Sequence, residues 1–222
     1  MLSPFLAFLE AQGIADPKAV TAQHVRAFLV SLQRRNLKDN TIHAHARAVK
    51  TFLRAEGIIP DNPTERVAMP RLDRRIMPAF APDDVKKLLA ACQGLQESAI
   101  VLALLDTGCR ASEFLALNVG DVDVKTGAVR VRQGKGRKDR VAFLGAKARK
   151  ALLRYMMARG DVQPDAALWV RDDTGERWDY DAFHYRLRLL GKRAGVKNCT
   201  PHTFRRTCAL WSLRAGMNIY AL

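Results

Sequence analysis

The stretch GAVRVRQGKGRKDRVAFLG, residues 127–145, most strongly constrains the fold, because its hydrophobic period differs from that of the rest of the chain. On either side of a glycine- and lysine-rich centre, apolar residues recur at every second position, with arginines at several positions between them. This alternation is typical of a half-buried β-strand, and the centre has the composition of a turn. The sequence therefore predicts a β-hairpin with basic residues on one face and a basic tip that includes Lys135.

The residues before position 69 show only helical periodicity. A good N-cap, Thr21, precedes four apolar residues spaced to form one helix face: Val25, Phe28, Leu29 and Leu32. A second helix is predicted over 40–56, and Pro63 is well placed to begin a short third helix. We therefore expect residues 1–68 to form a helical domain.

A segment with two prolines and no hydrophobic period, residues 69–80, is predicted to be a linker. Residues 81–222 should then form a second domain that is helical apart from the hairpin. Residues 97–105 are apolar on nearly every side, which indicates a buried helix. Three further elements are predicted, namely helices over 146–158 and 180–193 and a short strand over 167–171. The fold class is mainly α with a small antiparallel β-sheet (α+β).

Charge and composition narrow the range of functions. The 222-residue chain has 37 Lys and Arg against 22 Asp and Glu, a net charge of +15. Such an excess favours a polyanionic partner, most often nucleic acid. No apolar run is long enough to span a membrane. The four cysteines have no metal-ligand spacing, so we expect free thiols in a reducing compartment and no metal site.

Two motifs place cations at the start of a predicted helix, where the helix dipole favours anions. In DTGCRASE, Arg110 follows Gly108 and lies within reach of Glu113. In TPHTFRRT, His202 and Arg205 follow a suitable N-cap and a proline at the first helical position. A bound phosphate would explain both placements, because helix amides and guanidinium groups can grip the same anion. The alternatives are a surface ion pair and a capped helix with incidental basic residues.

These two motifs and the GKGRKDR hairpin, in this order and spacing, resemble those of the tyrosine recombinases, also called phage integrases. The resemblance runs from about residue 20 to the end, and residues 1–68 look like the family's core-binding domain. It implies that Arg110 and Arg205 neutralise the scissile phosphate. Lys135 would donate a proton to the leaving 5′-oxygen, and His202 would bind the phosphate or help to deprotonate the nucleophile.

The resemblance also implies the substrate and the chemistry. Two domains would encircle double-stranded DNA, and a tyrosine hydroxyl would attack a phosphodiester to form a 3′-phosphotyrosyl link and free a 5′-hydroxyl. Because that link conserves the phosphodiester's energy, neither a metal nor another cofactor is expected.

The position of the nucleophile is the point where the sequence departs from the family. The family's tyrosine lies much further beyond the histidine than Tyr220 lies beyond His202. We therefore expect Tyr220 to pack rather than react, and the chain to be truncated before its nucleophile and unable to cleave DNA alone. The competing hypothesis is a non-catalytic DNA-binding module or regulator of the same fold. We expect a cytoplasmic, nucleoid-associated protein of a bacterium or archaeon, monomeric off DNA, from a family that forms tetramers on DNA.

Overall fold

The computed structural model describes residues 2–55, 63–69, 78–132, 139–160 and 162–218. The chain divides into two compact units, Met1–Ile76 and Met77–Leu222. The predicted domain limits of 1–68 and 81–222 remain a prediction. Most of the proposed linker, with its three arginines, lies outside the described residues.

In the described residues, the first unit contains the α-helices α1 (Ser3–Ala11), α2 (Ala22–Arg34) and α3 (Asp39–Ala55). Short 3-10 helices follow α1 at Pro17–Ala19 and α3 at Pro63–Arg66. The α2 helix begins as predicted, since the Thr21 side chain accepts a hydrogen bond from the backbone nitrogen of His24.

The apolar face of α2 forms the centre of this unit's core. All four residues of the predicted face are buried. The Phe28 ring meets the Phe5 ring of α1 edge to face, with 5.1 Å between the centroids. The helix periodicity in the sequence therefore predicted this face correctly.

The second unit holds α4 (Pro82–Ala90), α5 (Gly94–Thr107), α6 (Ala111–Leu115), β1 (Ala128–Val131), β2 (Arg140–Phe143), α7 (Ala146–Arg159), α8 (Tyr180–Ala194) and α9 (Pro201–Arg214). The α5 helix is the buried helix predicted from the sequence, and it packs against both α7 and α9. Its one carboxylate in the apolar stretch, Glu97, is only 4% exposed and pairs with Arg186 and Arg193 of α8. The ion pairs of Glu97 therefore connect α5 to α8.

The two strands pair antiparallel, as predicted, but the face that each side chain occupies differs from the prediction. Val131 pairs with Arg140, and Arg130 pairs with Val141. Val131 is fully buried while Val141 is 56% exposed, so Arg140 lies on the inner face and Val141 on the outer face. The expectation that the basic residues share one face of the hairpin is wrong, because the strand pairing turns Arg140 inward.

The predicted strand over 167–171 is also corrected. Its ends form only isolated bridges, Ala167 with Asn118 and Val170 with Arg177. Trp169 between them is fully buried and stacks on Phe114, with 4.8 Å between the ring centroids. The apolar character that suggested a strand instead reflects burial in the core.

Candidate active site

The site is built around the turn that joins α5 to α6. Gly108 ends α5 in the left-handed conformation, with φ of 54°, and its nitrogen donates to the carbonyl of Leu104. A glycine takes this conformation at little cost, so the chain reverses sharply between the two helices. Arg110 then serves as the N-cap residue of α6.

Glu113 holds Arg110 in place at this turn. Its Oε2 accepts a hydrogen bond from the Arg110 backbone nitrogen at 2.9 Å, and its Oε1 accepts one from Arg110 Nη1 at 2.7 Å. The Glu113 side chain is only 7% exposed, whereas that of Arg110 is 39% exposed. The predicted contact between the two residues is confirmed. The glutamate of this pair is buried, and the arginine is partly exposed.

A second arginine, Arg140 of β2, donates two hydrogen bonds to the same carboxylate. Its Nη1 and Nη2 donate to Glu113 Oε1 and Oε2 at 3.1 Å and 2.7 Å. Burial acts to raise the pKa of Glu113, but the hydrogen bonds from Arg140 and Arg110 outweigh it and lower the pKa to about 2. Glu113 is therefore ionised throughout the physiological range.

Sequence reasoning did not find Arg140 as a site residue. It lies one strand position from Val141, and alternation alone does not tell which of two neighbouring residues faces inward. No local signal in the sequence connects Arg140 to Glu113, because the two residues are 27 positions apart.

The start of α9 supplies the second predicted cation pair. The Thr200 side chain accepts a hydrogen bond from the backbone nitrogen of Thr203, and Pro201 occupies the first helical position, as predicted. The helix start is fixed further by Thr203 Oγ1, which donates to the carbonyl of Asn198 at 2.6 Å. This rigid start sets the direction in which His202 and Arg205 project.

Arg205 reaches from α9 back to the turn. Its Nη1 donates a hydrogen bond to the carbonyl of Gly108, two residues before Arg110 in the sequence. The structure thus brings Arg110 and Arg205 together at one turn, although they are far apart in the chain. His202 is exposed on the first turn of the same helix, and in the described part of the chain it makes no hydrogen bond or ion pair.

Two other residues considered in the sequence analysis cannot be placed. Lys135, the predicted hairpin lysine, and Tyr220 both lie outside the described residues.

The charges at the turn do not balance. Three guanidinium groups gather around this turn: those of Arg110 and Arg140 contact the Glu113 carboxylate, and that of Arg205 contacts the carbonyl of Gly108. The buried thiol of Cys109 lies beside Arg140, Glu113 and Arg205, and burial raises its pKa, so it remains neutral. Partly exposed, excess positive charge at a helix N-terminus is an arrangement suited to an anion.

Neither a metal site nor a membrane span is found in the described ranges. No cluster of three or more His, Cys, Asp or Glu side chains there could hold a metal ion. No described helix combines the length and apolar character needed to cross a bilayer.

Known proteins are similar to this chain in sequence and in fold. Residues 79–222 match the phage integrase family. The chain is 32% identical to the tyrosine recombinase XerC of Roseiflexus castenholzii, in an alignment that covers 100% of this chain and 74% of that protein. This chain therefore belongs to the phage integrase family, the tyrosine recombinases, which are enzymes that break and rejoin DNA at specific sites.

Solved structures agree. The crystal structure of XerA recombinase matches 99% of this chain and 77% of its own, with a TM-score of 0.61 and 27% identity. The Tn1549 transposon integrase in complex with transposon right-end DNA matches 99% of this chain and 81% of its own, with a TM-score of 0.81 and 20% identity. The second likeness concerns the fold alone.

Proposed function

We propose that Arg110 and Arg205 bind one phosphate of double-stranded DNA and stabilise the charge that develops on it during strand exchange. The hydrogen bond from Arg205 to the carbonyl of Gly108 carries the proposal, because it fixes a guanidinium group of α9 beside the turn that presents Arg110. Phosphoryl transfer gathers negative charge on the non-bridging oxygens, and preorganised cations are the usual means of stabilising it.

Glu113 supports the proposal through its geometry. Its Oε1 accepts a hydrogen bond from only one side-chain nitrogen of Arg110, Nη1, at 2.7 Å. The remaining donors of that guanidinium have no partner among the described residues. An arginine that is anchored at one nitrogen and partly exposed can direct its other donors at two phosphate oxygens. The ion pair thus orients Arg110 rather than neutralising it.

The roles of the other candidates follow from their positions. His202 is exposed one helical turn from Arg205, where an imidazole could hydrogen-bond the same phosphate or take the proton of an attacking hydroxyl. Lys135 is proposed to protonate the leaving 5′-oxygen. Of the described tyrosines, Tyr155 uses its hydroxyl within the core, where it donates to the carbonyl of Leu168 at 3.1 Å.

The first experiment tests DNA binding. The affinity of the chain for a generic DNA duplex is measured between about 50 and about 200 mM salt. We expect a steep loss of affinity with salt, and a slope of log K against log salt that is smaller by about one in Arg110→Ala and in Arg205→Ala. The matched control is Arg171→Ala, because Arg171 already pairs with Asp173 at 2.7 Å. Salt-independent binding would contradict the proposal.

The second experiment separates a recombinase from a binding module of the same fold. A recognition site is selected from a pool of random duplexes, and a nicked duplex with that site is incubated with a form of the protein that carries the family's nucleophilic tyrosine. We expect a covalent adduct on a denaturing gel, formed ~10²–10³-fold more slowly after loss of either arginine. Tight, selective binding with no adduct would favour the binding module.

The proposed place of action is the bacterial or archaeal chromosome in the cytoplasm.

A further inference from the structure

Arg140 contacts the same carboxylate as Arg110, yet the proposed chemistry gives it no role. It is the first residue of β2, and it lies on the inner face of the hairpin opposite Val131. Its side chain is 35% exposed, and both of its terminal nitrogens donate to Glu113, at 3.1 Å and 2.7 Å. It therefore joins the strand that follows the predicted hairpin lysine to the helix that begins with Arg110.

The Glu113 carboxylate is saturated by these contacts. A carboxylate offers about four acceptor positions. Arg110 fills two of them, through its backbone nitrogen and Nη1, and Arg140 fills the other two. Neither arginine can donate a further strong hydrogen bond to Glu113 without displacing one that already exists.

Removal of Arg140 would change the hydrogen bonds that the Arg110 guanidinium makes. Two acceptor positions on the Glu113 carboxylate, which is only 7% exposed, would lose their donors. A buried acceptor without a donor is energetically costly, so a new donor at these positions would be favourable. The nearest flexible donors belong to Arg110, and arginine pairs readily with a carboxylate through two parallel hydrogen bonds. A two-bond pair with Glu113 would turn the donors of Arg110 away from the phosphate.

We propose that Arg140 is a positioning residue for recombination: by occupying half of the Glu113 carboxylate, it limits Arg110 to a single side-chain contact there and keeps the remaining Arg110 donors free for DNA phosphate. The proposal rests on the proposed function of Arg110. It assigns Arg140 no contact with the DNA.

A double-mutant cycle on DNA affinity tests this assignment. The salt dependence of duplex binding is measured for Arg110→Ala, Arg140→Ala and the double variant, with thermal unfolding of each to verify the fold. We expect the slope of log K against log salt to fall by about one in each single variant and by about one, not two, in the double variant. This non-additivity would show that both substitutions remove the same phosphate contact.

Two further variants separate positioning from charge and from general damage. Arg140→Lys keeps the charge but lacks the planar pair of donors, so we expect its slope to match that of Arg140→Ala. Arg130→Ala removes an exposed arginine from the outer face of the same hairpin, and we expect it to leave the effect of Arg110→Ala unchanged. If Arg140→Ala does not fold, Arg140→Lys with Arg110→Ala completes the same cycle.

Three results would overturn the assignment. Additive slopes would mean that Arg140 binds a phosphate of its own. A wild-type slope in Arg140→Ala, with a reduced slope in Arg110→Ala, would mean that Arg110 needs no help from Arg140. A wild-type slope in Arg140→Lys would mean that charge alone is sufficient. If Arg110→Ala itself has a wild-type slope, it is the proposed function that fails.

Discussion

The guanidinium of Arg205 donates a hydrogen bond to the backbone carbonyl of Gly108 and so connects α9 to the turn between α5 and α6. A backbone carbonyl cannot move away as a side chain can, so this contact fixes the distance between α9 and the turn that carries Arg110. The geometry of the candidate site therefore depends on the conformation of Gly108 as much as on the charged side chains.

Replacement of Gly108 by alanine should be costly for two reasons. Its φ of 54° is unfavourable for any residue with a Cβ, and the new Cβ would lie 2.9 Å from Cys208 Sγ. We expect Gly108→Ala to lower the free energy of unfolding by about 2–3 kcal/mol and to weaken DNA binding. Urea denaturation and a duplex-binding assay measure the two effects.

The matched control is Gly195→Ala. Gly195 has a similar φ of 67°, but no atom lies within 4 Å of a Cβ built there. It should show only the backbone cost, about 1 kcal/mol, and normal DNA affinity. Equal destabilisation by the two substitutions would show that the contact with Cys208 has no effect.

The ion pairs of Glu113 should make stability depend on pH in a defined window. Its pKa in the folded protein is about 2, below the ordinary value of 4.5, so its contribution is complete above about 4.5 and is lost as the pH falls toward about 2. We expect Glu113→Gln to cost on the order of 2 kcal/mol at neutral pH and progressively less below about pH 4.5.

The comparison variant for this measurement is Asp83→Asn. Asp83 pairs with Lys86, but both side chains are exposed, 79% and 78% respectively, and such pairs contribute little. At neutral pH it should change the free energy of unfolding by no more than about 0.5 kcal/mol. A Glu113→Gln deficit that stays constant from pH 7 to pH 3 would contradict the assignment of the low pKa.

The register of the hairpin can be tested by a pair of valine substitutions. Val131 is fully buried and Val141 is 56% exposed. We expect Val131→Ala to lower the free energy of unfolding by about 2 kcal/mol and Val141→Ala by no more than about 0.5 kcal/mol. The opposite order, measured by denaturant unfolding, would mean that β2 presents its other face to the core.

The helices were largely predictable because their signals are local. Thr21 and Thr200 mark helix starts through their own side chains, and the apolar face of α2 follows from spacing alone. Arg110 and Arg205 were also singled out from the sequence, because each lies near a helix start that favours the opposite charge, and the structure brings them to one turn. Their action on a phosphate stays a prediction.

Features that depend on pairing between distant segments were not predictable. Whether Arg140 or Val141 faces inward is decided by strand register, which the alternating pattern leaves open. The contact of Arg205 with Gly108 depends on how α9 packs against α5. For the same reason the sequence suggested a strand at 167–171, where burial of Trp169 provides the apolar signal.

The central claim is that Arg110 and Arg205 act on the same phosphate, and a phosphate scan tests it most directly. Single neutral methylphosphonates are placed in turn along a selected duplex, and the affinity of each duplex is measured for the wild type, Arg110→Ala and Arg205→Ala. We predict one position per strand at which neutralisation weakens binding by the wild type and has little effect on either variant. The claim is contradicted if the two variants lose sensitivity at different phosphates, or if neither loses sensitivity at any.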